Sequence, residues 1–132
     1  TFSSREGQPV QHIHPAPESW PLAIEDLSAL EPSAREATAA RRISEEAHRP
    51  FDLEHGPLLR TALLKLGEQE HVLLLCMHHI IADGWSVDVL VREVAEVHSA
   101  LLENRSAALP ELPVQYADYA AWQRRVLKDS TV

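Results

Sequence analysis

Thiol chemistry is nearly absent from this chain of 132 residues, which holds one cysteine, Cys76. One thiol builds neither a disulfide framework nor a cysteine metal site, so a reducing, cytoplasmic setting is expected. Within the apolar run LLLCMHH, Cys76 reads as a small buried hydrophobe. No apolar stretch approaches the ~20 residues of a membrane span, and the opening TFSSREGQ has no signal-peptide form, so no membrane partner is expected. Positive charge is short as well. Twelve Lys and Arg stand against twenty Asp and Glu, for a net charge of −8. That balance repels phosphate backbones and leaves no basic stripe, which excludes nucleic acid as the expected partner. Internal repeats and low-complexity segments are missing too. The chain opens on Thr1 rather than Met, which points to a processed or excised piece.

What remains is ordinary globular material, 45% hydrophobic and 24% charged, long enough to bury one core. GQPVQHIHP has a brief strand-like alternation, and Leu22 to Ile24 is a short strand candidate inside a proline-punctuated connector. Ser33 and Glu36 have capping-box spacing ahead of an Ala/Arg/Glu-rich helix that runs to His48 and stops at Pro50. Leu58 to Leu66 and His71 to His78 read as the two strands of a hairpin joined by GEQE. VLLLCM is apolar on both alternating faces and is expected in the middle of a sheet. From Ser86, the positions Val87, Leu90, Val91, Val94, Val97 and Leu101 predict a helix of about five turns with one stripe packed inward and an end at Asn104. On a last helix, Tyr116, Tyr119 and Trp122 are spaced by three, which predicts core packing.

Chemistry gathers at MHHIIADGWS, residues 77 to 86. Imidazoles are costly to bury unless their nitrogens find partners. Successive strand side chains point to opposite faces, so a strand running through His79 keeps His78 and His79 from chelating one ion together. The pair His79 and Asp83 would need a helix where a strand-to-turn transition is indicated, and no third ligand is supplied, so no metal is expected. One face of the junction can present an imidazole to a cleft while the other anchors its neighbour in the core. That imidazole can accept a proton from an attacking amine or alcohol, or stabilise charge developing on it. Asp83 can hold the turn through backbone N–H groups or an arginine, and Gly84 permits close approach of a backbone or ligand.

The run from His78 to Gly84 resembles the HHxxxDG signature of the condensation domains of nonribosomal peptide synthetases, relatives of chloramphenicol acetyltransferase. FDLEHGPLLR, the continuation Trp85-Ser86, and Tyr116 to Trp122 resemble that family's segments in the same order, with Ala121 where the family usually has valine. The resemblance implies an α/β fold, a chloramphenicol acetyltransferase-like mixed sheet with packed helices. Residues 1–132 would then be a partial condensation domain, an inner stretch of the N-terminal lobe. It implies that the parent forms amide bonds between aminoacyl or peptidyl groups carried on the 4'-phosphopantetheine of donor and acceptor peptidyl carrier proteins, with no cofactor bound directly.

The same resemblance implies that His79 faces the catalytic tunnel as base or orienting group, while His78 faces inward. Asp83 would lock the loop, the Gly84 backbone would approach the thioester, and Trp85 and Ser86 would line the tunnel. The family's usual arginine partner of the aspartate lies outside the chain, so Asp83 is expected to be unpaired or to recruit Arg60. Paired histidines with an intact Asp83 argue against the heterocyclising branch, and Trp85-Ser86 resembles amide-forming members more than epimerases. With the second lobe missing, the isolated chain is expected to be inactive and to self-associate or need a complementing segment. Two other readings stand beside this one: a non-catalytic lobe that binds a carrier protein, and a stand-alone HxxxD-type acyltransferase.

Overall fold

Glu6 and Gly7 both carry positive φ, 53° and 76°, the pair of left-handed positions that suits a two-residue hairpin turn. They fold β1, Phe2–Arg5, back on β2, Gln8–Gln11, in an antiparallel pair. The alternation in GQPVQ marks β2, whereas polar FSSR carries no strand signal. The Phe2 N–H donates to the Leu53 carbonyl at 2.7 Å and ties this hairpin to the FDLEH loop. The computed structural model describes residues 1–129. They form two units, Thr1–Gly84 and a second beginning at Trp85.

The first unit also holds a three-stranded mixed sheet, in the order β3-β4-β5. β3, Ala23–Asp26, runs parallel to β4, Leu59–Lys65, and the chain between them supplies the helix that a parallel crossover requires. β5, His71–Met77, returns antiparallel to β4, with Leu59 opposite Met77 and Lys65 opposite His71, as the hairpin reading predicts. The expectation that VLLLCM lies mid-sheet is corrected. β4 is the strand paired on both sides, and among the described residues β5 pairs with β4 alone. Leu73 on β5 is 42% exposed, whereas Leu64 on β4 is 1% exposed.

Helix α1, Pro32–His48, starts one residue before the predicted cap. Pro32, with φ already preset for a helix, takes the first turn and Glu31 is the N-cap, which places Ser33 inside the helix, where its hydroxyl cannot cap. Ala39 of α1 joins Leu27 and Leu64 in the core, with Leu66, Val72 and Leu74 packed against them. Burying a leucine such as Leu64 contributes about 1.5–3 kcal/mol, and Leu64→Ala would cost about 2–5 kcal/mol. Charged contacts tie α1 to the sheet: Arg42 reaches Glu25 of β3 at 2.6 Å and Glu45 of its own helix at 3.1 Å.

Helix α2, Gly84–Leu102, begins at the boundary between the units. Asn104, at φ 51°, ends it where expected, and the Arg105 N–H turns back to the Ala100 carbonyl at 2.9 Å. The helix is found, but its stripe is not packed inward as predicted. Val91, Val94, Val97 and Leu101 remain exposed, and the covered face carries Ala100 and half-buried Leu90. Helix α3 spans Tyr116–Asp129. Its aromatics are exposed rather than core residues, and their rings meet one another along the helix at a tilt, with centroids 6.1 Å apart for Tyr116 and Tyr119 and 5.7 Å for Tyr119 and Trp122. Among the described residues no helix is long and apolar enough to cross a membrane.

Candidate active site

Strand β5 ends at Met77, but its ladder runs one step further. The His78 N–H donates to the Leu58 carbonyl at 3.0 Å. The chain then reverses in a tight turn closed by the Ile81 N–H on the His78 carbonyl, also at 3.0 Å. His78 staples that turn from inside, because its Nδ1 accepts the Ile80 N–H at 3.0 Å. Its ring meets Phe51 edge-on, with centroids 5.8 Å apart and planes at 83°, a T-shaped contact worth about 0.5–1.5 kcal/mol beyond burial. His78 is thus half-buried and anchored, and His79 stands exposed at the tip of the turn.

The His79 ring is oriented by its own loop. Nδ1 lies 3.1 Å from the Ala82 carbonyl oxygen. A carbonyl only accepts, so Nδ1 carries a proton, and in the neutral imidazole it is Nε2 that keeps its lone pair. That tautomer suits a group that takes a hydrogen bond or a proton from an incoming N–H or O–H. Gly84 follows as the first residue of α2, and a Cβ built there meets nothing within 4 Å, so the space beside its backbone is open. Trp85 and Ser86 lie on the opening turn of α2, with Trp85 81% exposed.

Arg60 is engaged at the end of α1. Its Nε donates to Glu46 Oε2 at 2.9 Å and its Nη2 donates to the Glu46 and Arg49 carbonyls, both at 2.9 Å. The guanidinium carbon also sits 3.8 Å from the Phe51 ring centroid, a cation–π contact. Arg60 thereby caps the carbonyl end of α1, where a cation is favoured, and is occupied there. Asp83 in turn is not left without an interaction, so it is not the unpaired carboxylate that one alternative expected. The hydrogen bond from Arg60 is the main cause that holds the Glu46 carboxyl below the usual glutamate range. Cys76, half-buried rather than buried, points its Sγ at the same Glu46 carbonyl at 3.4 Å.

Sequence reasoning singles out the motif histidines, and of Glu46, Phe51 and Arg60 behind them it names only Arg60, as a partner for Asp83. FDLEHGPLLR, which begins at Phe51 and ends at Arg60, is the signal that could have found two of the three. Among the described residues no three His, Cys, Asp or Glu side chains gather in a way that could hold a metal ion.

Comparison with known proteins bears on this geometry. The family model "Condensation domain" matches residues 1–132. One of the linear gramicidin synthase proteins of Brevibacillus parabrevis is 53% identical over 124 residues, which is 94% of this chain and 2% of that protein. Chondramide synthase cmdD of Chondromyces crocatus is 47% identical over 132 residues, all of this chain and 3% of that protein. The chain therefore spans only a few per cent of the length of these relatives. Among solved structures, the starter condensation domain of rhizomide synthetase RzmA superposes with a TM-score of 0.78 at 25% identity, covering 95% of this chain and 30% of that one. The first condensation domain of the calcium-dependent antibiotic synthetase, solved with a substrate analogue, gives a TM-score of 0.76 at 28% identity over 98% of this chain and 30% of that one. The mixed sheet with packed helices is the fold class that the sequence implied, found as part of a larger architecture. With its whole length matched by the family model and its strand-turn-helix motif in place, the chain belongs to the condensation domain family.

Proposed function

We propose that the protein containing this chain forms amide bonds between aminoacyl or peptidyl groups held as thioesters on two carrier proteins, and that His79 is the working imidazole. The reading rests on the His79 contact to Ala82, which leaves Nε2 as an acceptor at an exposed turn. An acceptor amine would place its nitrogen within hydrogen-bond reach of Nε2 and attack the donor thioester carbonyl. The C–N bond forms, the C–S bond breaks, and the amine proton leaves by way of the imidazole while the carrier thiol departs protonated. A free α-amino group with pKa near 8 is partly neutral already, so orientation by His79 contributes alongside proton acceptance. The open side of Gly84 is where the thioester would approach, with Trp85 and Ser86 along the tunnel. His78 and Asp83 support the loop. The phosphopantetheine arms belong to the carriers and enter as substrate.

The isolated chain, by this reading, does not catalyse the reaction and self-associates, because the exposed apolar residues of α2 and α3, Leu101, Leu102 and Trp122 among them, are association surfaces. The test is product formation from two loaded carriers, run in parallel with the full-length protein and the purified chain, with light scattering on the chain. Amide product from the full-length protein alone, and a chain heavier than a monomer, are expected. Turnover by the isolated chain, or a well-folded monomer, contradicts this account of it.

A further inference from the structure

We propose that Arg60 and Phe51 are positioning residues for His79; the proposal rests on the reading of His79 as the working imidazole. Arg60 sits on β4 opposite Cys76 of β5, with its side chain 12% exposed. Its guanidinium fork holds the end of α1 through the Glu46 carboxylate and the Glu46 and Arg49 carbonyls, and adds a longer bond to the Pro50 carbonyl at 3.3 Å. The residue immediately after Pro50 is Phe51, and the guanidinium covers its ring. That ring takes the Arg60 guanidinium over its face and also meets the His78 imidazole at a steep angle.

From His78 the order passes to the catalytic loop. Its Nδ1 and its carbonyl take the Ile80 and Ile81 N–H groups and so set the turn, and the turn places the Ala82 carbonyl that orients His79. Every link is directional: a planar fork, a ring face, a ring edge, then three hydrogen bonds. A lysine at position 60 would keep the charge but supply neither the fork nor the planar stack. A leucine at position 51 would keep bulk but lose the face for Arg60 and the edge-on partner for His78. Misplacing a reacting group by about 1 Å can cost on the order of 10²-fold in rate.

The experiment uses the full-length condensation domain that contains this chain, with ¹⁵N-labelled histidine, and reads the His79 tautomer beside the rate of condensation between two loaded carriers. In the wild type, His79 should be held in the Nδ1–H form. Arg60→Lys and Phe51→Leu should give a mixed tautomer and a rate lower by about tenfold at saturating carrier with KM unchanged, and Phe51→Tyr should preserve both. An unchanged His79 tautomer in folded Arg60→Lys and Phe51→Leu overturns the proposal, and so does a rate loss that only tracks the folded fraction. If Arg60→Lys does not fold, Phe51→Leu carries the test. The tautomer is read without turnover. A fully active His79→Ala would therefore sink the reading of His79 itself, while the tautomer comparison decides separately whether Arg60 and Phe51 position its ring.

Discussion

His78 and His79 are neighbours in the chain, yet their Nδ1 atoms have opposite roles: that of His78 accepts the Ile80 N–H at 3.0 Å, and that of His79 donates to the Ala82 carbonyl at 3.1 Å. The turn between strand and helix separates the two rings, one against Phe51 and one in the open. Two histidines at a strand end thus divide into an anchor and an exposed acceptor, and substitutions around the turn should affect folding and chemistry separately.

Asp83 immediately precedes α2, the position from which a carboxylate accepts helix N–H groups. Asp83→Ala should cost about 1 kcal/mol of stability, and Asp83→Asn less, with folded protein lost before chemistry. Thermal unfolding measured beside activity decides it. Unchanged stability with lost turnover would make Asp83 part of the chemistry instead.

Gly84→Ala should behave in the opposite way. The φ of Gly84 is not in the left-handed region and a Cβ there meets nothing within 4 Å, so the fold tolerates alanine and gains up to about 1 kcal/mol. Condensation should nonetheless fall by about tenfold or more, because the methyl group occupies the side from which the thioester would approach. Full activity in Gly84→Ala would remove that role from Gly84.

Beyond the end of α2, the Arg105 guanidinium and then the Ala108 N–H hold the Glu96 carboxyl down at about 2. The folded value lies below the ordinary one, so the stabilisation is complete above the ordinary glutamate range and is lost as pH falls toward about 2. Glu96→Gln should therefore lower the unfolding temperature at neutral pH and flatten its decline in acid. Identical unfolding temperatures for wild type and variant from neutral to acid pH would contradict this assignment.

Much of the fold is legible in the sequence where local pattern and tertiary demand agree. Helix α2 follows from its apolar spacing and ends at Asn104, and β4 and β5 follow from two apolar runs around GEQE. Legibility fails where partners are distant in sequence. An apolar run such as VLLLCM reports burial on two faces and says nothing of which edges are paired. The same limit hides Arg60, whose bonds reach 10 to 14 residues back to the end of α1. For Tyr116, Tyr119 and Trp122, a spacing of three places the rings along one helix face without saying what, if anything, covers it.

The central claim is that His79, and not His78, acts on the amine. The direct measurement is single-turnover amide formation from two loaded carrier proteins by the full-length protein, comparing His79→Ala with His78→Gln at matched folded concentration. A loss of about 10²-fold or more for His79→Ala, with His78→Gln within about tenfold of wild type per folded molecule, is the predicted result. Equal losses in the two variants, or near-wild-type condensation in His79→Ala, would contradict the account.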